Sequence, residues 1–171
     1  MAGYKGHTVG GAILGFGYIG FLNVFTSVDL YGFQGKLLHG WYLPAALMVL
    51  SMLFALWPDV DTNSKGQDIL YTALFGLDLL LIFASQFQAA AYLGILAMLP
   101  IVGKHRGWTH KKISMVLIPS PLFLVPYLEN NNNLKIAALL YGSATIGYFS
   151  HLLLDGLIVR WFRIRSRSYL D

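Results

Sequence analysis

Four short clusters of polar residues interrupt an otherwise apolar sequence, and their side chains are of the types that bind metal ions. The clusters are Gly6-His7-Thr8, Pro58-Asp59-Val60-Asp61, His105-Arg106-Gly107-Trp108-Thr109-His110 and His151-Leu152-Leu153-Leu154-Asp155. Histidine nitrogens and carboxylate oxygens are ligands that Zn²⁺ and other divalent ions prefer. An ionisable group at the edge of a bilayer core costs about 2.5–3.5 kcal/mol on insertion scales, so it needs a partner or a function. We therefore predict that the four clusters form one metal site.

Two of the clusters have spacings that favour ligation. His151 and Asp155 lie four residues apart, which places two side chains on one face of a helix. Both could bind one ion, or one could orient the other, and an intrahelical ion pair is the alternative. Asp59 follows the proline that ends an apolar segment and is the preferred ligand of its cluster. Asp61 is a further candidate, or it could cap a short helix. His7, just before the first predicted helix, completes the set.

The third cluster has the highest density of chemical groups. His105 and His110 flank Gly107, which permits a tight bend. Arg106 is a planar, permanently charged group that suits a phosphate or a carboxylate. The alternative is an interfacial loop anchored by Trp108, but that interpretation does not explain two histidines within six residues.

The composition indicates a membrane protein. Of the 171 residues, 56% are hydrophobic and 12% are charged, whereas a soluble domain carries about 25% charged residues. The chain has no cysteine, so disulfides and thiolate metal sites are excluded. Much of the net charge of +4 comes from a basic tail at residues 160–171, which contains Arg160, Arg163, Arg165 and Arg167. Such a tail is typical of a cytoplasmic membrane end, and we expect no nucleic-acid partner.

Six apolar segments are predicted to be helices, because a backbone exposed to lipid must satisfy its own hydrogen bonds. They run from about Val9 to Thr26, Trp41 to Trp57, Ile69 to Ala84, Ala89 to Val102, Ile113 to Leu128 and Leu134 to Val159. The fifth contains Pro119, Pro121 and Pro126, each of which removes a helix hydrogen bond. We predict an all-α, polytopic helical membrane protein with about six transmembrane or half-membrane helices. Residues 1–171 form a single integral membrane domain with a basic C-terminal tail.

The distribution of positive charge predicts the orientation. With six crossings, the two termini and the loops after the second and fourth segments lie on one side of the membrane. All four clusters fall on that side, whereas the opposite side has only Lys36 and Lys135 as basic residues. The positive-inside bias therefore places the site and the C-terminus in the cytoplasm, at the inner or plasma membrane of a prokaryote.

In their order, the four clusters resemble the YdjM-type family of membrane-bound, metal-dependent hydrolases. The matching pieces spread over nearly the whole chain, and the third cluster is quite specific. The family usually has a serine after the last histidine of that cluster, where this chain has Lys111. The resemblance implies hydrolase activity. A distant relation of the family to zinc-dependent phospholipase C further implies a helical enzyme in which His151 and Asp155 match a His-x-x-x-Asp zinc motif.

Together the residues and the resemblance predict a metal-dependent phosphoesterase in the membrane. The candidate metal ligands are His7, Asp59, His105, His110, His151 and Asp155. Zinc is the expected ion, with manganese or magnesium as alternatives, and it would activate a water for attack on a phosphoester. Arg106 would hold the phosphate, and Asp61 is a candidate general base. A site at headgroup depth in the lipid bilayer favours a phospholipid or a lipid-linked phosphate as substrate.

Two other classes of function stay open at this point. A divalent-ion transporter or channel could use the same ligands, but it would need polar groups that continue to the far side of the membrane. Asp78, inside the third segment, is one such group, although we expect it to have a hydrogen-bonded structural role. In the other class, a non-catalytic membrane adaptor, the metal only braces the helices.

Overall fold

The computed structural model describes residues 3–26, 29–32, 40–60, 64–102 and 108–158. Within these ranges the helices are α1 (Tyr4–Phe25), α2 (Tyr42–Leu56), α3 (Lys65–Phe83), α4 (Phe87–Val102), α5 (Lys112–Leu117), α6 (Pro121–Glu129) and α7 (Leu134–Leu154), with short 3-10 helices at Trp57–Asp59 and Asn131–Asn133. No β-strand occurs in this part of the chain, and the predicted all-α class is confirmed.

Among the described residues, four helical stretches are long and apolar enough to cross a membrane. They are Tyr4–Phe25, Tyr42–Asp59, Lys65–Phe83 and Leu134–Leu154, and two shorter apolar stretches are Phe87–Met98 and Lys112–Leu128. The 22 residues of α1 span about 33 Å, which is close to the hydrocarbon thickness of about 30 Å. Large apolar side chains such as Phe16 and Phe83 are exposed on these helices, as contact with lipid requires. The predicted polytopic membrane architecture is therefore confirmed.

Helices α2 and α7 run parallel to each other in the centre of the bundle. The Ser143 hydroxyl of α7 donates a hydrogen bond to the Leu47 carbonyl of α2. Eight residues farther along both helices, His151 Nδ1 lies 2.8 Å from the Ala55 carbonyl oxygen. Residue numbers rise together on both helices from the first contact to the second, so α2 and α7 run in the same direction. Their C-termini therefore lie at the same end of the bundle.

Helix α1 runs in the opposite direction and packs against both. The Ser51 hydroxyl of α2 donates to the Gly11 carbonyl of α1 over 2.9 Å. Farther along α1, the Tyr18 phenol donates over 3.4 Å to the carbonyl of Leu139, near the start of α7. The start of α1 therefore lies at the end of the bundle where α2 and α7 finish.

The close packing of these three helices depends on two glycines. A Cβ atom at Gly147 of α7 would overlap the Ser51 carbonyl group of α2. A Cβ atom at Gly11 would come within 2.7 Å of the Ala55 Cβ. Small residues allow membrane helices to approach closely enough for hydroxyl groups to reach neighbouring backbones. The two glycines thus set the distances between α1, α2 and α7.

Helices α3 and α4 form an antiparallel hairpin beside this core. Ser85 in the connecting turn has a φ angle of 58°, a left-handed conformation that reverses the chain tightly. Leu74 of α3 and Leu96 of α4 are buried in a hydrophobic cluster with Trp57 and Tyr148. The hairpin therefore contacts the core on the side that also carries the 3-10 helix after α2.

The fifth predicted segment consists of two short helices rather than one. Helix α5 ends at Leu117, and α6 begins at Pro121 after a turn that includes Pro119. Neither proline can donate a backbone hydrogen bond, so a continuous helix is interrupted between them. Pro126 is accommodated inside α6.

Two predicted helix starts were wrong. Helix α1 begins at Tyr4 rather than near Val9, so His7 lies inside the helix and not before it. Helix α3 begins at Lys65, where the Ser64 side chain caps it by accepting a hydrogen bond from a backbone N–H in the first turn. Both errors have one cause, because apolar patterning underestimates helices whose first turn is polar.

We expect Gly147→Ala to destabilise the bundle, because the added Cβ atom would press against the Ser51 carbonyl group. Overpacking of this kind typically costs about 1–3 kcal/mol, and more where the contact is backbone. Gly17→Ala is the matched control, since a Cβ atom there meets no atom within 4 Å. Thermal unfolding in detergent micelles, followed by circular dichroism, measures both. Equal melting temperatures for Gly147→Ala and the unmodified protein would contradict the proposed close contact.

Candidate metal centre

Five of the predicted ligands meet at one end of the three-helix core. His7 comes from the start of α1, and Asp59 from the 3-10 helix that follows α2. His110 precedes α5, and His151 and Asp155 lie at the end of α7, with Asp155 as its C-cap. Because α1 starts where α2 and α7 end, the directions of the helices bring these residues together.

Each of the three histidine Nε2 atoms lies within 4 Å of both carboxylates. His7 Nε2 is 3.8 Å from Asp59 Oδ2 and 3.5 Å from Asp155 Oδ1. His110 Nε2 is 3.6 Å from Asp59 Oδ1 and 3.9 Å from Asp155 Oδ2. His151 Nε2 is 3.6 Å from Asp59 Oδ1 and 3.5 Å from Asp155 Oδ2. These separations exceed the usual 2.7–3.2 Å, roughly, of an N–H···O bond. Ligand atoms at about 2.0–2.2 Å from a tetrahedral Zn²⁺ lie roughly 3.3–3.6 Å apart. The shell therefore has the dimensions of a metal site.

Three atoms of this shell are buried and have no hydrogen-bond partner. They are His7 Nε2, His151 Nε2 and Asp155 Oδ1. Both imidazole rings are fully buried, and the Asp155 side chain is 3% exposed. A buried polar atom without a partner costs about 1–3 kcal/mol. A cation at the centre would satisfy all three atoms, so the residues present fit a bound divalent ion.

The neighbours of His151 determine which of its nitrogens faces the centre. Nδ1 lies 2.8 Å from the Ala55 carbonyl oxygen, an acceptor, so Nδ1 carries the proton and Nε2 is the nitrogen available to a metal ion. The ring stacks on His7 with centroids 3.8 Å apart and an interplanar angle of 16°. Two groups of potential ligands overlap at His151, namely His7-His151-Asp155 and Asp59-His110-His151. Each carboxylate presents one oxygen to His7 and the other to His110 and His151, so the arrangement fits one ion or two ions bridged by the carboxylates.

Thr109 and Tyr148 position His110, and neither was predicted to have a role. The Thr109 hydroxyl lies 3.1 Å from His110 Nδ1. The buried Tyr148 phenol of α7 donates a hydrogen bond to the Thr109 backbone carbonyl. Tyr148 lies one helical turn before His151, so the spacing was a usable signal. These contacts tie the segment that carries His110 to the helix that carries His151 and Asp155.

The centre opens toward Asp59 and His110. Their side chains are 27% and 21% exposed, respectively. The other three potential ligands are almost completely enclosed by α1, α2 and α7. A molecule that approaches from the aqueous side would therefore meet the Asp59 and His110 side of the shell first.

Three predicted site residues, Asp61, His105 and Arg106, lie outside the described residues, as does the basic tail at 160–171. Their roles stay predictions. The other five predicted ligands converge at one end of the bundle, in agreement with the inference that all four clusters lie on one side of the membrane. The cytoplasmic assignment of that side also stays a prediction.

We expect the purified protein to bind one or two divalent ions per chain, measured by elemental mass spectrometry after equilibration with Zn²⁺ and removal of excess metal. His151→Ala should reduce the metal content to background, whereas Asp68→Asn, an exposed position on α3, should not change it. Chelation should lower the melting temperature, because a ligand at 1,000 times its Kd stabilises the folded state by about 4 kcal/mol. A metal content at background in the unmodified protein would contradict the candidate centre.

We expect Tyr148→Phe to weaken metal binding about 10–100-fold, because loss of a hydrogen bond that orients a ligand typically has this effect. Tyr141→Phe is the matched control on the same helix, since the Tyr141 phenol bonds the Val116 carbonyl instead. Competition with a chromophoric zinc chelator gives both affinities. Equal affinities for the two variants would show that the Tyr148 phenol does not position His110.

A comparison with protein families identifies the family of the chain. A family model described as the YdjM inner membrane protein matches residues 1–163, a range that contains all four polar clusters. Neither a curated protein nor a solved structure matches the chain. The family match and the four long apolar helices establish an integral protein of the inner membrane. The chain belongs to the YdjM inner membrane protein family.

Proposed function

We propose that the protein is a metal-dependent hydrolase of the membrane that cleaves a phosphoester bond in a phospholipid or another lipid-linked phosphate. The observation that supports this most strongly is the complete set of six His–Asp approaches of 3.5–3.9 Å. Three of the atoms involved are buried and lack hydrogen bonds. A divalent ion held there, with zinc as the first candidate, would supply an activated water and neutralise negative charge on the phosphate.

The potential ligands differ in burial, which suggests that they have different roles. His7, His151 and Asp155 are enclosed and would hold the ion. Asp59 and His110 line the open side, where a substrate phosphate would arrive. Five potential ligands exceed the three protein ligands of a typical catalytic zinc site. Both exposed groups would also bind metal, and the general base would come from beside the shell.

Arg106 and Asp61 have proposed roles beside the centre. Arg106 would bind the phosphate through the paired N–H donors of its guanidinium group, which match two phosphate oxygens. Asp61, two residues after Asp59 in the chain, is the candidate for the general base. Neither role requires contact with the ion, so the two residues can be tested separately from metal binding.

The position of the centre in the bundle favours an amphiphilic substrate. His7 and Asp155 lie at the ends of helices that are long enough to cross a membrane, which corresponds to headgroup depth. One helical turn below the centre, Ser51 and Gly147 pack so closely that a Cβ atom would not fit. This packing disfavours the passage of an ion through the three-helix core, and it supports an enzyme over a channel along that path.

We expect the protein in lipid vesicles with Zn²⁺ or Mn²⁺ to release phosphate, or a phosphorylated headgroup, from phosphatidic acid or a related phospholipid. Asp59→Asn should remove metal and turnover together, because an amide is a weaker ligand than a carboxylate. Arg106→Ala should keep the metal and lower turnover about 10²–10³-fold, the usual effect of losing a group that stabilises transition-state charge. Asp68→Asn is the control that should retain both.

Two outcomes would contradict the proposal. If metal-loaded protein turns over no lipid or soluble phosphoester and the vesicles instead accumulate Zn²⁺, the protein is a transporter. If it turns over no phosphoester and moves no ion, while chelation still lowers the melting temperature, the metal only braces the helices.

A further inference from the structure

A second site with its own chemistry lies in the α3–α4 hairpin. A cavity of about 260 Å³ lies between the two helices. Its walls are mostly apolar, and the residues with polar side chains among those that line it are Tyr71 and Asp78. The cavity shares no residue with the metal centre, so an inference from it does not depend on the proposed hydrolase function.

Asp78 lies inside the membrane-spanning part of α3, nearer to its C-terminal end. It is 13 residues beyond Lys65 and five before Phe83, or about 20 Å and 7.5 Å along the helix axis. An acidic side chain at such a depth is costly and marks a functional site by default. We expected Asp78 to be hydrogen-bonded, but its Oδ1 atom is buried and has no hydrogen-bond partner.

Tyr71 does not satisfy this oxygen, because its phenol is directed to α4, where it donates over 3.5 Å to the Ala97 carbonyl. Among the residues that line the cavity, Asp78 is the only acidic or basic one. One carboxylate is too few for a divalent ion, which takes at least four ligands. A purely apolar occupant, such as a lipid chain, would leave the buried oxygen without a partner.

We propose that this cleft binds a lipophilic organic cation. The Asp78 carboxylate complements the positive charge, and apolar side chains such as Leu74 and Phe75 contact the hydrocarbon part. The Phe75 ring can add a cation–π contact. The depth of Asp78 restricts the ligand to compounds that partition into lipid. A second copy of the chain, docked through the same face, would place two such carboxylates together and is a poorer complement.

The test uses benzyltrimethylammonium and neopentylbenzene, its uncharged carbon isostere, with the full-length protein in lipid nanodiscs. Equilibrium dialysis of the labelled compounds, with empty nanodiscs subtracted, measures binding. We expect saturable binding of the ammonium compound and at least about tenfold weaker binding of the isostere, as loss of a contact to a buried charge implies. Asp78→Asn should abolish this preference, whereas Asp68→Asn on the same helix should preserve it.

A second pair of variants tests the cavity without changing the charge. Gly94 lines the cleft, and a Cβ atom there would meet no atom within 4 Å, so Gly94→Leu should fill the cavity and block binding. Gly76→Leu is the control, since Gly76 has equal room and does not line the cleft. Equal binding of charged and uncharged probes, or binding unaffected by Asp78→Asn and Gly94→Leu, would overturn the proposal.

Two further results would assign the cleft to another occupant and also overturn the proposal. One is a dimer in solution that Asp78→Asn dissociates, with no binding of the ammonium probe. The other is uptake of Zn²⁺ into vesicles that Asp78→Asn abolishes, again without probe binding.

Discussion

The approach of α2 to α7 at Ser51 and Gly147 is the constraint on which the rest of the structure depends. There is no room for a side chain at Gly147, and one turn farther along, the same two helices bring His151 to the Ala55 carbonyl. A slip of one residue in this register would rotate His151 by about 100° around its helix. The close packing of backbones below the centre therefore also determines the direction of the His151 ring.

The identities of the candidate ligands could be predicted because ionisable residues are conspicuous in an apolar chain. His151 and Asp155 share a helix face by spacing alone, and Asp59 follows a proline that ends α2. The all-α class follows from the need to satisfy backbone groups in lipid. The convergence of the clusters was predicted, but the geometry of the five side chains around one point could not be. It depends on contacts between distant helices, such as that of Ser51 with the Gly11 carbonyl, and no local pattern encodes them.

Other features were missed because a residue's type does not reveal its partner. In the sequence, Tyr148 resembles any aromatic residue of a membrane helix, yet its phenol holds the Thr109 carbonyl. Asp78 was expected to have a hydrogen bond, and its buried oxygen has none. Pro119 and Pro121 were recognised as unfavourable for a helix, but only the structure shows that they divide the segment into α5 and α6. Side-chain partners and the positions of helix breaks are tertiary properties.

The candidate metal centre joins the first and last helices of the described chain, and this has a consequence for biosynthesis. His7 and Asp155 are 155 − 7 = 148 residues apart, so at about 5–20 residues per second the ribosome needs roughly 7–30 s to produce the second after the first. During that interval α1 and α2 are made without the helix that supplies His151 and Asp155. An intermediate that lacks α7 cannot form the complete ligand shell, because His151 and Asp155 are missing from it. Occupancy by metal would therefore distinguish fully inserted chains from truncated ones.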